Sequence, residues 1–376
     1  MDNISSLGLK LKSVDIEKVL FKYFLISMNI YYVLSYSSIP GNGIKIINII
    51  LNVIAGILLV HKNLFLLRKY SLWKIVISLL LLFSCSLSLY ISKVPALFKV
   101  ALFFLIIDNE SYEETFEYMW KSLLIGLFIV VTSSIIGITP ITSGIKTKDA
   151  FSLGFINPNT PPVILFAIIC FYNLEKNEIS FKMLIFELLI CITTFFIFKS
   201  RSFLNVTLIY IALIFIDKLL SKIIKINFIG FLSKYSFLLI MFVSLIVASF
   251  YSNNVTWNKL NILLSYRPYI WNSYIRHYPI TLFGNILNTD LYASLDNAFL
   301  QLLLKYGLFG LISYSLFFYI SARFSLKNDM KILSITIIAY SLYFFNEFGP
   351  AIINVCAPLL FSLIVIGNGL EVNKDE

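Results

Sequence analysis

The sequence predicts an all-α polytopic integral membrane protein, with about twelve transmembrane helices and one large external loop carrying short interfacial helices. Three observations predict it. Of the 376 residues, 59% are apolar and only 13% charged, with a mean hydropathy of +0.87, which is more apolar surface than a soluble domain can hide. Apolar runs approaching the ~20 residues that a spanning helix needs recur along the whole chain. Lysine and arginine are shared unevenly among the segments joining those runs, as expected where cations beside membrane spans set topology. The same composition excludes a secreted domain, a soluble multidomain enzyme and a nucleic-acid binder. The net charge of +10 is assigned to topology and to anionic headgroups, so membrane lipids are expected partners and nucleic acid is not.

The opening segment MDNISSLGLKLKSVDIEK is charged and leads into the first run with no small-residue cleavage site, so no cleaved signal peptide is expected. Runs at 19–37, 44–60, 72–91, 95–107, 121–138, 156–173, 183–198, 203–217 and 235–251 form the first nine spans. Some 45 residues, 252–296, then separate the ninth run from the tenth at 297–321, and the last two runs follow at 332–346 and 351–367. The chain therefore reads as one transmembrane domain, 1–376, with 252–296 as its large external loop. With the N-terminus inside, 19 of the 30 Lys and Arg fall on the cytoplasmic side and 11 outside. That excess places both termini in the cytoplasm. Of the 20 carboxylates only Asp149, Asp290, Asp296 and Glu347 face outward; the other 16 read as cytoplasmic or near that boundary. The acidic stretch DNESYEETFEY, 108–118, reads as a solvated inner loop. Cys85, Cys170, Cys191 and Cys356 lie inside apolar runs, where free cysteine behaves as a small hydrophobe, so neither a disulfide nor thiol chemistry is expected.

The external loop holds Trp257, Tyr266, Tyr269, Trp271, Tyr274 and Tyr278. Disorder-prone segments lack such aromatics and long ordered loops are usually functional, so this one should fold against the membrane surface. Arg267 precedes Pro268, and proline suits a helix's first turn; RPYIWNSYIRHY therefore reads as a short interfacial helix. Arg267 and Arg276 are nine residues apart, about 180° around a helix of ~100° per residue, and point to opposite faces. Arg267, with Trp271 and Tyr274 one and two turns along its face, is aimed at a site, while Arg276 faces headgroups. His277, one of two histidines, reads as a surface residue or an acid–base group.

Four further places carry unusual polarity. Arg201, in FKSRSF, either snorkels to the interface or directs its planar fork at a phosphate. Asp296 and Asn297 open the tenth run as helix N-caps, or Asp296 acts as a general base. Lys305 lies about 13.5 Å further along at ~1.5 Å per residue, deep for lipid, so the first turns line a wet cavity and the true span starts nearer Tyr306. GFINPNTPP, 154–162, is a turn or irregular backbone lining protein or water, and it contains Asn159. Glu347, in FFNEFGP, reads as an interfacial acid. The chain has no P-loop, GxGxxG, HExxH or Cys/His pair at metal spacing, and the external carboxylates are too scattered for a divalent-metal site. Any chemistry is expected to need no metal and no cofactor.

These features together resemble one family, the O-antigen and capsule repeat-unit polymerases of the Wzy type, related to the O-antigen ligases. The likeness rests on the many-span layout, the large external loop late in the chain, KSR at Lys199 to Arg201 and RPYIW at Arg267 to Trp271. To these it adds LFG at Leu282 to Gly284, DNAFLQLLLKYGLFG from Asp296 to Gly310, and NPN at Asn157 to Asn159. The resemblance implies a glycosyltransferase on the outer face of the bacterial cytoplasmic (inner) membrane. Such an enzyme moves a growing glycan from one polyprenyl pyrophosphate carrier onto the terminal sugar of a repeat unit on another. Its substrate is polyprenyl-pyrophosphate-linked oligosaccharide, and a chain-length regulator protein is an implied partner. The family's phosphate-binding arginines map onto Arg201 and Arg267, with Arg276 a third candidate. Ligase relatives commonly carry His before the Asn that opens helix ten; here that residue is Asp296, which tilts the reading toward polymerase.

Elementary chemistry is compatible with that expectation. A lipid pyrophosphate is a good leaving group, so the reaction chiefly needs positive charge where the departing oxygen becomes negative, and two arginines supply it. The acceptor hydroxyl needs a base in reach: Asp296, with His277 behind it. Asn159, Tyr266, Trp271, Tyr274 and Asn297 are the expected sugar contacts. Direct displacement inverts the anomeric centre. Two rivals stand beside this reading, an O-antigen ligase and a lipid-linked oligosaccharide flippase or exporter. The latter should show paired halves and charges buried in mid-membrane, and no inverted repeat is visible in the sequence.

Overall fold

The computed structural model describes residues 2–66, 72–107, 111–142, 151–220, 226–252, 254–288 and 294–368. Among these the chain is all-helical, and strand pairing is confined to an isolated bridge between Ser37 and Phe155. The first half runs α1 (Asp2–Ser35), α2 (Gly41–Leu66), α3 (Leu72–Ser92), α4 (Ala96–Ile106), α5 (Tyr112–Ile135), α6 (Thr160–Lys176) and α7 (Phe181–Phe198). The second half runs α8 (Arg201–Leu220), α9 (Ile226–Phe250), α10 (Val255–Leu263), α11 (Arg267–His277), α12 (Ala298–Lys305), α13 (Gly307–Lys327) and α14 (Lys331–Asn346). Two 3-10 turns, Gly349–Ala351 and Ile353–Val355, lead into α15 (Ala357–Gly367).

Five of these helices are long and apolar enough to cross a bilayer by length and composition: α5, α7, α8, α9 and α13. Others carry shorter apolar stretches, such as Ala96–Ile106 and Ala357–Gly367, about 16 Å each at ~1.5 Å per residue against a ~30 Å hydrocarbon core. The all-helical architecture is as expected, and of the about twelve expected spans five are matched in full among the described residues. The tenth run divides at Tyr306–Gly307 into α12 and α13, and its spanning part is α13, Gly307–Lys327, in keeping with the start expected nearer Tyr306. The acidic stretch is corrected: from Tyr112 it is helical, capped by Ser111, whose Oγ accepts from Glu114 N at 3.4 Å, with Glu113 and Glu114 in the first turn where carboxylates favour the helix dipole. Residues 108–110 lie outside the described residues. The four cysteines are buried and free.

Small and polar residues bring the helices together, the packing mode expected in lipid. Gly126 of α5 lies against Val33 of α1, and beside them Asn29 Nδ2 donates to Ser122 Oγ at 2.8 Å. α9 and α14 run parallel, tied by Ser233 to Ser334 at 3.4 Å and by Ser236 with Ser341 at 3.1 Å. The outer faces keep large apolar side chains exposed, as Ile185, Phe186, Leu189 and Phe196 do on α7. A contiguous apolar surface of this kind marks a membrane-facing wall.

The break between α12 and α13 is filled by the LFG segment of the long 252–296 loop. Leu308 N and Phe309 N donate to Thr281 O and Leu282 O, both at 3.0 Å, and Asn285 N donates to Leu304 O at 2.9 Å. Backbone groups freed by the interruption are thereby satisfied. Gly284 (φ +95) and Gly307 (φ +78) face each other there, and a Cβ on either would overlap the other strand's backbone. Ser88 Oγ of α3 donates to Phe283 O at 3.2 Å, tying the same segment to the bundle.

Candidate functional site

Two consecutive left-handed residues, Ser265 (φ +56) and Tyr266 (φ +63), turn the chain between α10 and α11. Such backbone is costly for residues with a Cβ and persists where its surroundings impose it. Here the buried Asn261 imposes it: its carbonyl accepts from Tyr266 N at 2.7 Å and its Oδ1 from Tyr269 N at 3.1 Å. The turn delivers Arg267 to the first turn of α11, with Pro268 fitting the same turn. α11 is fastened along its buried face. Asn272 Nδ2 donates to Ala248 O at 2.7 Å, Trp271 meets Phe345 edge-on at 5.1 Å, and Tyr274 packs with Leu295, Leu300 and Leu304.

Arg267 lies between two carboxylates, with Nη2 3.7 Å from Asp296 Oδ2 and 3.5 Å from Glu347 Oε1. Its Nη1 donates to Asn346 Oδ1 at 3.3 Å. Glu347 Oε1 also accepts from Ser202 Oγ at 3.2 Å and from Asn159 Nδ2 at 3.4 Å. The cluster therefore gathers the starts of α6, α8, α11 and α12 and the end of α14 at one end of the bundle. Arg201 opens α8 beside Ser202 and is exposed, which puts it at the same end as Arg267. Charged pairs of a different kind mark the opposite end: Lys331 with Asp217 at 3.5 Å, and Glu175 with Lys176 at 2.7 Å and Trp120 Nε1 at 2.6 Å.

The capping question at α12 resolves residue by residue. Asn297 is the N-cap, its Oδ1 accepting from Leu300 N at 3.0 Å, and its amide is used up on Ser244 Oγ at 3.1 Å and Phe345 O at 3.0 Å. Asp296 is thus spared capping; Ser294 donates to its other oxygen at 2.9 Å. Asn297, Trp271 and Tyr274, expected to touch substrate, are instead fully buried and committed to packing or caps, so they support the site rather than line it. Tyr266 is 60% exposed beside Arg267. Arg276 and His277 are exposed at the far end of α11, where His277 meets the Tyr278 ring edge-on at 4.9 Å; the cluster includes neither. Glu347, Asn346 and Ser202 are the members that sequence reasoning missed. The helix-breaking NEFGP signalled a break at the end of α14, but not which groups it would face.

One guanidinium between two carboxylates has no spare positive charge, so any anion bound here relies on Arg201 as the additional cation. The carboxylates, the two asparagine amides and the Ser202 hydroxyl suit sugar hydroxyls. Compared with protein-family models, curated proteins and solved structures, the chain matches none.

Proposed function

We propose that this membrane protein is a polysaccharide polymerase, a glycosyltransferase joining polyprenyl-pyrophosphate-linked repeat units on the outer face of a bacterial cytoplasmic membrane. The observation that carries the reading is Arg267 held against Asp296 and Glu347 at the end of the bundle where Arg201 also lies. In this reading the shorter apolar helices complete about twelve passes in one transmembrane domain, with both termini cytoplasmic.

Arg201 and Arg267 hold the donor's diphosphate and stabilise the charge that grows on its departing oxygen. Asp296 accepts the proton of the acceptor hydroxyl as that oxygen bonds to the anomeric carbon, and the carbon–oxygen bond to the diphosphate breaks on the opposite face, inverting the centre. Asp296 sits in an ion pair before substrate arrives. A diphosphate that takes over Arg267 frees the carboxylate to act as base. Glu347, fixed by Asn159 and Ser202, keeps the guanidinium aimed. An apolar groove of about 530 Å³, lined by Leu81, Phe104, Leu282, Phe283, Ile312 and Ser313 among others, offers room for part of a prenyl chain beside the loop.

Purified protein given labelled lipid-linked repeat units tests the reading. Longer chains support it, transfer to a different acceptor makes the protein a ligase, and relocation without new bonds makes it a transporter. One observation favours transport as the second reading: a carboxylate, Glu187, buried within α7.

A further inference from the structure

We infer that the bundle contains a second site, within its apolar layer, for one small positive charge, an alkali cation or a proton, seated at Glu187. The inference does not depend on the polymerase reading. Sequence reasoning grouped Glu187 with the boundary carboxylates, yet it lies six residues into α7, about 9 Å along at ~1.5 Å per residue. Its side chain is 0% exposed, on the face turned away from the lipid-exposed Ile185, Phe186 and Leu189.

The Asn173 side chain of α6 is the polar neighbour of Glu187, but no donor makes a well-formed hydrogen bond to either carboxylate oxygen. Its neighbours come from the helices on either side. On α6, Asn173 Nδ2 donates to Tyr210 OH at 3.2 Å, which leaves Asn173 Oδ1 without a partner. On α8, the buried Thr207 hydroxyl lies one turn from Tyr210 and beside the Cys191 thiol, one turn along α7 from Glu187. The titratable groups around this pocket are Cys170 of α6, Cys191 of α7, Tyr210 of α8 and Tyr340 of α14. None of them can be a cation.

Unsatisfied acceptors concentrated on two adjacent helices are rare in a folded interior, because each costs free energy. An ionised carboxylate with no counter-charge costs more. Replacing Glu187 by glutamine or leucine would serve packing equally well, so packing does not explain a carboxylate here. One positive charge answers the deficit of the pair: the Glu187 carboxylate is neutralised, and the Asn173 amide oxygen fits the oxygen preference of hard cations or accepts from a protonated acid. Ionisable groups at such depth in membrane proteins mark ion or proton sites.

The test uses purified full-length protein in detergent. Thermal unfolding midpoints are measured in sodium, potassium and choline chloride at matched ionic strength for the wild type, Glu187→Gln and Asn173→Ala. Infrared spectra of the wild type and Glu187→Gln are compared at the carboxylic-acid carbonyl stretch. A midpoint that climbs a few degrees with sodium or potassium in the wild type, less in Asn173→Ala and not at all in Glu187→Gln, identifies an alkali cation. A carboxylic-acid band lost in Glu187→Gln, with midpoints indifferent to the salt, identifies a proton. Absence of both signals overturns the proposal. Glutamine preserves the shape of the side chain, and the graded response of Asn173→Ala provides a second reading should Glu187→Gln fold poorly.

Discussion

Arg267 owes its position to its supports: Asn261 pins the left-handed turn before it, and the buried Trp271 and Tyr274 anchor the helix beneath it. Replacing Arg201 or Arg267 by alanine is expected to lower chain growth by roughly 100-fold or more while membrane levels of the protein stay normal, as quantified by blotting and product ladders. Near-normal polymer from both variants would dismiss the site. Asp296→Asn should cost about 100-fold or more as well without loss of stability, because the cap belongs to its neighbour. Asn297→Ala should show the reverse emphasis, losing ~1 kcal/mol of stability with the cap, measurable by denaturation in detergent. Arg267 and Asp296 were legible in the sequence because a charge beside Pro268, or before a helix-opening Asn, is out of place in so apolar a chain. Glu347 was not, since its significance comes from Ser202 and Asn159, residues 145 and 188 positions away. The aromatic stripe of α11 was visible, but its inward direction was not, because spacing reports which residues share a face and not what that face meets.

At the scale of elements, the junction of α12 and α13 is the most demanding piece of backbone. Gly284→Ala and Gly307→Ala each place a Cβ where the opposing backbone passes and impose a left-handed conformation costing about 1–2 kcal/mol by itself. Both variants are expected to lower the unfolding midpoint and reduce expression, whereas Gly41→Ala, whose added Cβ meets nothing within 4 Å, should leave both unchanged. The short helix α11 and the start of its register could be read from RPYIWNSYIRHY. The break could be suspected from the depth of Lys305. Its partner, the LFG segment some twenty residues earlier, could not be found from periodicity, because helix-period patterns say nothing of which extended segment meets an interrupted helix. Helix lengths are hidden for the same physical reason: hydropathy measures how apolar a run is, while the length of a helix also depends on where the backbone can find other partners.

Across the whole molecule, polar groups divide between two ends of an apolar bundle, with Arg267, Asp296 and Glu347 at one and Asp217, Lys331 and Glu175 at the other. Single cysteines introduced at Arg201 and at Arg276, in a background lacking the four native ones, should therefore react with a membrane-impermeant maleimide from the same side of sealed vesicles. One introduced at Lys331 should react from the other. Labelling of Arg201 and Arg276 positions from opposite sides would contradict the shared-end arrangement. Ser313→Trp, which fills the apolar groove without touching the polar cluster, should raise KM for a long-prenyl substrate and spare a short-prenyl analogue. Membrane residence was written plainly in composition. The meeting of five helix ends was not, because no local pattern encodes which ends converge.

The threading of residues 281–285 through the interrupted helix has one more consequence. A flap that could swing clear would have to strip Leu308, Phe309 and Leu304 of their backbone partners, leaving amides and carbonyls bare inside a greasy wall. That part of the 252–296 segment is therefore a rivet and not a door, and under the proposed polymerase reading it is the sugar strand that would slide past a stationary machine.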